Sequence, residues 1–161
     1  NNLATQEIKA LNSDPDHEML HLNNCIQYLS KAAESLEPWA SNWLGNFYLS
    51  GKVRYSNKIY KNVINRDLAK KYFFKALDYH IDRNSAWAAA NLIVYFPDIY
   101  IQNKYLLFTH IDICLTKGND EVLEFLAKSY NIDCTNFIHQ QTVKWETFCY
   151  NFRNSIINKL L

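Results

Sequence analysis

The sequence predicts an all-α protein, a right-handed α-α superhelix (solenoid) of short helical-hairpin repeats. Apolar residues return at steps of three and four along most of the 161-residue chain, which is the spacing of one helix face. Three glycines and three prolines are too few for the turns of a β-sandwich or barrel. A set of residues also recurs, and repeated helical units stack on each other to bury their apolar faces. The two copies are Tyr28, Lys31, Ala32, Trp39, Ala40, Leu44 and Phe47, then Tyr72, Lys75, Ala76, Trp87, Ala88, Leu92 and Tyr95.

The first predicted hairpin begins at residues 12–15. Ser13 or Asp14 is expected to cap a helix there, because a side-chain oxygen can accept from exposed backbone amides, and Pro15 suits the first helical turn. This helix should run to about residue 36, and a second is predicted over residues 39–49. Gly51 is expected to end the second helix in the left-handed conformation.

The second predicted hairpin starts near residue 66 and continues, after a polar break at residues 81–85, with a helix over residues 86–96. We expect Pro97 to end this array. Helices are then predicted over residues 99–117, 120–130 and 142–161, with a turn at Gly118 and Asn119. The chain is thus expected to be one helical-repeat domain, residues 1–161, with recognisable repeats over 12–97 and an irregular helical part over 98–161.

Composition excludes several classes of protein. A net charge of +1 gives no overall field for nucleic acid or an anionic membrane. No run of about 18 apolar residues indicates a membrane span, so we expect no membrane partner. The cysteines stand apart without metal-ligand spacing, which favours buried thiols in a reducing, cytoplasmic setting and no cofactor. Their spacing also leaves open a single disulfide between two of them. They are Cys25, Cys114, Cys134 and Cys149.

The string His17-Glu18-x-x-His21 fits the pattern in which two histidines one helical turn apart bind zinc and the glutamate activates water. The chain has no histidine at the downstream position where a third ligand is expected, and few residues precede the string to form a supporting sheet. We therefore expect an exposed helix start there, with a zinc metallohydrolase as the alternative function.

The stretch of residues 52–75 is rich in lysine and arginine and is interleaved with tyrosine. Three interpretations are open: a solvated loop, a docking surface for an acidic protein, or a site where bases stack on tyrosine while cations neutralise phosphates. We expect a protein partner rather than nucleic acid. The candidate contact residues in this stretch are Lys52, Arg54, Tyr55, Lys58, Tyr60 and Lys61.

The repeat pattern resembles the Sel-one-like repeat, a relative of the tetratricopeptide repeat. The resemblance covers about residues 28–96, and it differs at Ile93, where the repeat has glycine, and in a longer stretch between Gly51 and Ala69. It rests on Ala40, Leu44, Gly45, Tyr48, Gly51, Val53, Ala69, Tyr72, Lys75 and Ala76.

This resemblance implies a non-catalytic protein that holds partners on a concave surface. It implies Asn42, Asn46 and Asn91 as polar contacts on that surface. Proteins of this kind include immunity proteins that neutralise a cognate bacterial toxin, and the richness in Asn, Lys, Ile and Tyr is typical of an AT-rich bacterial genome. We therefore expect a toxin immunity protein, and the alternative is an adaptor or a secreted effector that binds a host or scaffold protein.

Overall fold

The described part of the protein is helical. The computed structural model describes residues 2–78, 82–116 and 120–131, together with residues 151, 154, 155, 158 and 159. Among them the pairing of extended backbone is limited to one antiparallel bridge between Lys52 and Ile59, so the all-α prediction is confirmed for these residues. The helices are α1 (Asn2–Ser13), α2 (Glu18–Glu34), α3 (Pro38–Ser50), α4 (Arg66–Leu77), α5 (Arg83–Tyr95), α6 (Pro97–Thr116) and α7 (Asp120–Ser129), with short 3-10 helices at Pro15–His17 and Lys61–Val63.

The chain forms two compact units, residues 1–80 and 81–161; the predicted single domain over residues 1–161 stays a prediction. In the first unit α1 packs on α2, α2 on α3 and α3 on α4. Fully burying one large apolar side chain contributes about 1.5–3 kcal/mol, and a cluster of such side chains forms the core of this unit. Its buried members are Ala4, Ile8, Leu11, Leu22, Cys25, Leu29, Ala33, Ala40, Trp43, Leu44, Phe47 and Val53.

Helices α3 and α4 approach each other closely at Gly45. A Cβ atom on Gly45 would lie 2.6 Å from ring carbons of Phe73, whose side chain is fully buried. Nearby, the rings of Tyr48 and Tyr72 stack with their centroids 5.8 Å apart. The absence of a side chain at Gly45 therefore allows the Phe73 ring to lie directly against the α3 backbone.

Two helices of the first unit end on residues in the left-handed conformation. At the end of α2, Leu36 has φ 67, and the N–H groups of Leu36 and Glu37 donate to the carbonyls of Ala33 and Ala32, both at 3.1 Å. This two-bond pattern is common at helix C-termini. At the end of α3, Gly51 has φ 71, so its predicted role as a C-cap is confirmed.

The second unit is built from α5, α6 and α7. Helix α5 packs on both α6 and α7, and α6 also packs on α7. The rings of Trp87 and Phe125 lie 5.3 Å apart, and the Tyr130 hydroxyl donates to the carbonyl of Ile93 at 3.1 Å. Helix α6 contains a non-helical residue, Asn103, with φ −124, which marks a kink.

Helix α1 was not predicted. Its buried residues Ala4, Ile8 and Leu11 do follow helical spacing, but the predicted first helix begins only at residues 12–15. At that point a 3-10 helix precedes α2, and the side chain of Asp14 makes no capping bond. The expected cap is wrong because the Asp14 carboxylate contacts histidine side chains instead.

Helix α5 starts earlier than predicted, at Arg83. The carboxylate of Asp82 accepts from the Ser85 N–H at 2.8 Å, and the Ser85 hydroxyl accepts from the Asp82 N–H at 2.9 Å. This reciprocal capping box begins the helix within the segment predicted as a polar break. Pro97, expected to end the array, is the first residue of α6.

Some predictions fall outside the described residues. These are the turn at Gly118 and Asn119, the state of the Cys114, Cys134 and Cys149 thiols, and the helix over residues 142–161 apart from residues 151, 154, 155, 158 and 159, which are helical.

We predict that Gly45→Ala destabilises the protein by about 1–3 kcal/mol, because the added methyl group overlaps the Phe73 ring and overpacking costs that much. At an exposed helix position the same change would stabilise by roughly 1 kcal/mol, so the sign separates packing from helix propensity. Urea unfolding followed by circular dichroism measures the difference.

The control is the double variant Gly45→Ala with Phe73→Leu. Its loss of stability should be smaller than the sum of the two single losses. Additive losses would contradict a direct contact between the two positions.

Candidate functional site

Residues 51–65 form a basic loop between α3 and α4, and side chains alternate between two sides in its paired segments, residues 51–53 and 58–60. The Tyr60 N–H donates to the Gly51 carbonyl at 2.8 Å, and Lys52 forms the bridge to Ile59. Successive residues of paired extended segments point to opposite sides. The outer face, which is exposed, consists of Lys52, Arg54, Tyr55, Ile59 and Lys61; the inner side, which is buried or half-buried, consists of Val53, Lys58 and Tyr60.

The inner side is held by one carboxylate of α2. Oε1 of Glu18 accepts from Nζ of Lys58 at 2.8 Å and from the Tyr60 hydroxyl at 2.5 Å. Donation first from Lys58 and then from Tyr60 holds the pKa of Glu18 below its usual value of 4.5. Burial, followed by the contact with Glu18, raises the pKa of the Tyr60 hydroxyl. Hydrogen bonds to an ionised group are stronger than neutral ones, so Glu18 fixes this side of the loop.

The end of α1 holds the loop at two further points. Nζ of Lys58 donates to the carbonyl of Leu11 at 3.3 Å, and Nδ2 of Asn12 donates to the carbonyl of Tyr55 at 3.3 Å. The loop is therefore bonded to both α1 and α2, and its tip at Tyr55 has a fixed backbone position.

The outer face of the loop is cationic and partly apolar. Residues 51–65 include four basic residues in total and no carboxylate. Of these four, Lys58 is the one that Glu18 pairs with in the described part of the chain. The Arg54 guanidinium lies 4.9 Å from the centre of the Tyr55 ring. Tyr55 is 77% exposed and Ile59 is 57% exposed. Cations around exposed apolar side chains form a surface suited to an acidic protein.

The structure separates the predicted contact residues. Lys52, Arg54, Tyr55 and Lys61 are exposed and belong to the outer face, whereas Lys58 and Tyr60 lie on the inner side and bind Glu18. We therefore assign Lys58 and Tyr60 to positioning the loop rather than to contacting a partner.

Two of the three asparagines are buried. Asn42 is 8% exposed and Asn91 is 5% exposed, so neither side chain is presented to solvent. Nδ2 of Asn46 donates to the Asn42 carbonyl one turn earlier in α3, at 2.9 Å. Asn91 lies in α5, in the second unit.

The zinc alternative gains no support from the geometry of its string. In the part of the chain that the structure describes, no group of three or more His, Cys, Asp and Glu side chains is arranged to hold a metal ion. Glu18, the expected base, binds Lys58 and Tyr60. His21 contacts carboxylates through both ring nitrogens and is half-buried, so the expected exposed helix start is wrong at this residue. We assign neither His17 nor His21 as a metal ligand.

The buried contact between Ser85 and His110 was not predicted from the sequence. Nδ1 of His110 lies 3.1 Å from Oγ of Ser85, and burial lowers the pKa of His110. Ser85 is inaccessible and His110 nearly so, and the same Ser85 hydroxyl takes part in the cap of α5. A substrate could not reach this pair, which joins α5 to α6.

The thiol of Cys25 is also unsuited to nucleophilic chemistry. Burial, together with the charge of Glu7, raises its pKa to about 12, so it is protonated near neutral pH.

Among the described residues, no helix combines the length and the apolar character needed to cross a bilayer.

We predict that Glu18→Gln increases the rate of trypsin cleavage after Arg54 and Lys61 by about two- to fivefold, the effect of losing a partly exposed ion pair. Cleavage of a native loop follows the population of its open form. The control Glu34→Gln, near the other end of α2, should leave the rate unchanged. An equal increase in both variants would contradict a specific role for Glu18.

No family model matches the chain, and comparisons with curated proteins and with solved structures also give no match.

Proposed function

We propose that this chain is a non-catalytic protein-interaction module whose partner presents an acidic surface to the outer face of the basic loop. The observation that carries the proposal is that Lys52, Arg54 and Lys61 are exposed on the same loop as the exposed side chains of Tyr55 and Ile59, while Glu18 holds the inner side of this loop. Arginine and tyrosine are frequent hot-spot residues in protein interfaces. A pre-organised loop also loses little conformational freedom on binding.

The positions of the tyrosine rings favour a protein partner over nucleic acid. Single-stranded nucleic acid needs several rings on which successive bases stack. Residues 52–75 contain three tyrosines, Tyr55, Tyr60 and Tyr72. Tyr60 is bound to Glu18 and Tyr72 is stacked on Tyr48. Only Tyr55 of these three belongs to the outer face, which is too little for a stacking platform.

The specific role that we propose is that of an immunity protein, which binds a bacterial toxin in a one-to-one complex and neutralises it. The resemblance over residues 28–96 and the composition support this role. An adaptor or effector that binds a host or scaffold protein would use the same surface, and it would differ in having broader and weaker partners.

We also propose that the helices are arranged as a right-handed superhelix and that the protein is cytoplasmic. The successive packing of α1, α2, α3 and α4 supports stacked helical hairpins in the first unit. The buried free thiol of Cys25 agrees with a reducing compartment.

We predict that the triple variant Lys52→Glu, Arg54→Glu, Lys61→Glu loses at least about tenfold in affinity for its partner, because like charges then face each other across the interface. The first partner to test is the product of the neighbouring gene, with calorimetry giving both the affinity and the stoichiometry. Wild-type affinity should fall as salt is raised from low to moderate concentration.

The matched control is Lys9→Glu, Lys31→Glu, Lys128→Glu, which changes the net charge equally at exposed positions outside the loop. It should bind as the wild type does. Equal losses in both triple variants would indicate a nonspecific charge effect, and full binding by the loop variant would exclude the outer face as the contact surface. A neighbouring gene product that is an ordinary metabolic enzyme would argue against the immunity role.

A further inference from the structure

His21 connects α2 to α1 and to the turn that follows α1 through two carboxylates. Its Nδ1 lies 2.7 Å from Oε2 of Glu7 in α1, and its Nε2 lies 3.3 Å from Oδ2 of Asp14 in the turn. Nδ2 of Asn24 donates to the other oxygen of Glu7 at 3.4 Å. A protonated imidazole donates from both nitrogens, whereas a neutral one has a single N–H. Only the charged ring can therefore satisfy both carboxylates.

The segment that His21 holds is the one that supports the basic loop. Glu7 and Leu11 lie one turn apart on α1, and Leu11 accepts the hydrogen bond from Lys58. Asn12, the next residue, donates to the carbonyl of Tyr55. A displacement of the end of α1 would thus move two of the points at which the loop is held.

We propose that His21, Glu7 and Asp14 form a pH-sensitive clasp that holds α1 on α2 when His21 is protonated and, through Leu11 and Asn12, fixes the basic loop. When the ring is neutral, one of the two carboxylates loses the hydrogen bond from His21, and the end of α1 and the loop open more often. The consequence for partner binding rests on the proposed function, whereas the clasp is a property of the free chain.

The groups that face the clasp set its direction. Glu7 comes from α1 and Asp14 from the turn, and Asp14 also contacts Nδ1 of His17 at 3.0 Å. Cys25 of α2 faces Glu7 and stays neutral because its pKa is raised to about 12, first by burial. One turn before His21, the carboxylate of Glu18 is paired with Lys58.

The contact with Glu7, followed by that with Asp14, raises the pKa of His21 above its usual 6.5. The stabilisation is therefore complete below about pH 6.5 and is lost as the pH rises through the raised value. The pKa of Asp14 is lowered from its usual 3.8, chiefly by His21, so this contribution is lost only as the pH falls through the lowered value. The clasp is closed below about pH 6.5 and opens as the pH rises through the raised pKa of His21.

Hydrogen exchange of the free chain tests the clasp without any partner. After correction for the intrinsic effect of pH on exchange, protection of the α1 and loop amides should fall by about two- to fivefold between pH 6 and pH 8.5, the size of a partly exposed ion pair. Amides of α7 serve as the internal reference. In His21→Gln this fall should disappear, and Glu7→Gln should reduce it and lower the pKa of His21 measured by NMR.

The matched control is His17→Gln, which removes the other histidine of the string. His17 has a side chain 62% exposed, against 19% for His21, and it contacts only Asp14 of the two carboxylates, so the pH effect should persist. The proposal is overturned if wild-type protection does not change with pH, or if His21→Gln shows the same fall as the wild type. A fall in α1 alone, with the loop amides unchanged, would overturn the coupling to the loop.

Discussion

The distance between α3 and α4 is the constraint on which the basic loop depends. Because Gly45 has no side chain, the Phe73 ring packs on the backbone of α3, and the N–H of Asn65 donates to the Tyr48 carbonyl at 2.8 Å. The loop must therefore leave α3 and return within a short distance. Gly51 makes this possible, since its φ is 71 and a Cβ there would lie 2.5 Å from the Tyr60 carbonyl oxygen. Gly51 thus acts at the start of the loop and Gly45 on the helix packing that brings its ends together, whereas the length of the loop costs little because loop-closure entropy grows slowly with length.

Glu18 turns this loop into a defined surface. A surface loop with little regular structure is usually mobile, but here a single carboxylate oxygen accepts from both Lys58 and Tyr60. The same contact divides the positive charge, because Lys58 is neutralised on the inner side while Lys52 and Lys61 remain outside. The number of cations in the sequence therefore overstates the charge that a partner would meet. Because Lys58 binds Glu18, reversing its charge would disturb the conformation of the loop and would not test the outer face.

Local signals in the sequence were sufficient for much of the fold. The C-cap at Gly51 and the helix start at residue 66 follow from residues close to those positions, and Asn65 caps α4 as local chemistry allows. The two sides of the loop could not be predicted in this way. Apolar patterning would place Ile59 inside and Lys58 outside, but the bridge to Lys52 and the attraction of Glu18, 40 residues away, impose the opposite arrangement. Long-range contacts therefore determine which side chains of the loop face outward, and sequence periodicity does not indicate these contacts.

The conformation of Tyr55 bears on why the loop has this composition. Its φ is 64, in a region where glycine, asparagine and aspartate are the usual residues, and a side chain with a Cβ costs roughly 1 kcal/mol there. Its ring is largely exposed, so burial in the free chain does little to offset that cost. The hydrogen bond from Asn12 to its carbonyl and the Arg54 guanidinium over the ring nevertheless hold it at the tip of the loop. Such conformations persist where surrounding contacts hold them, as at Leu36 after α2, and they are enriched at functional sites. A tyrosine that adds little to the stability of the free chain, but would bury a large ring in an interface, is consistent with the proposed binding surface.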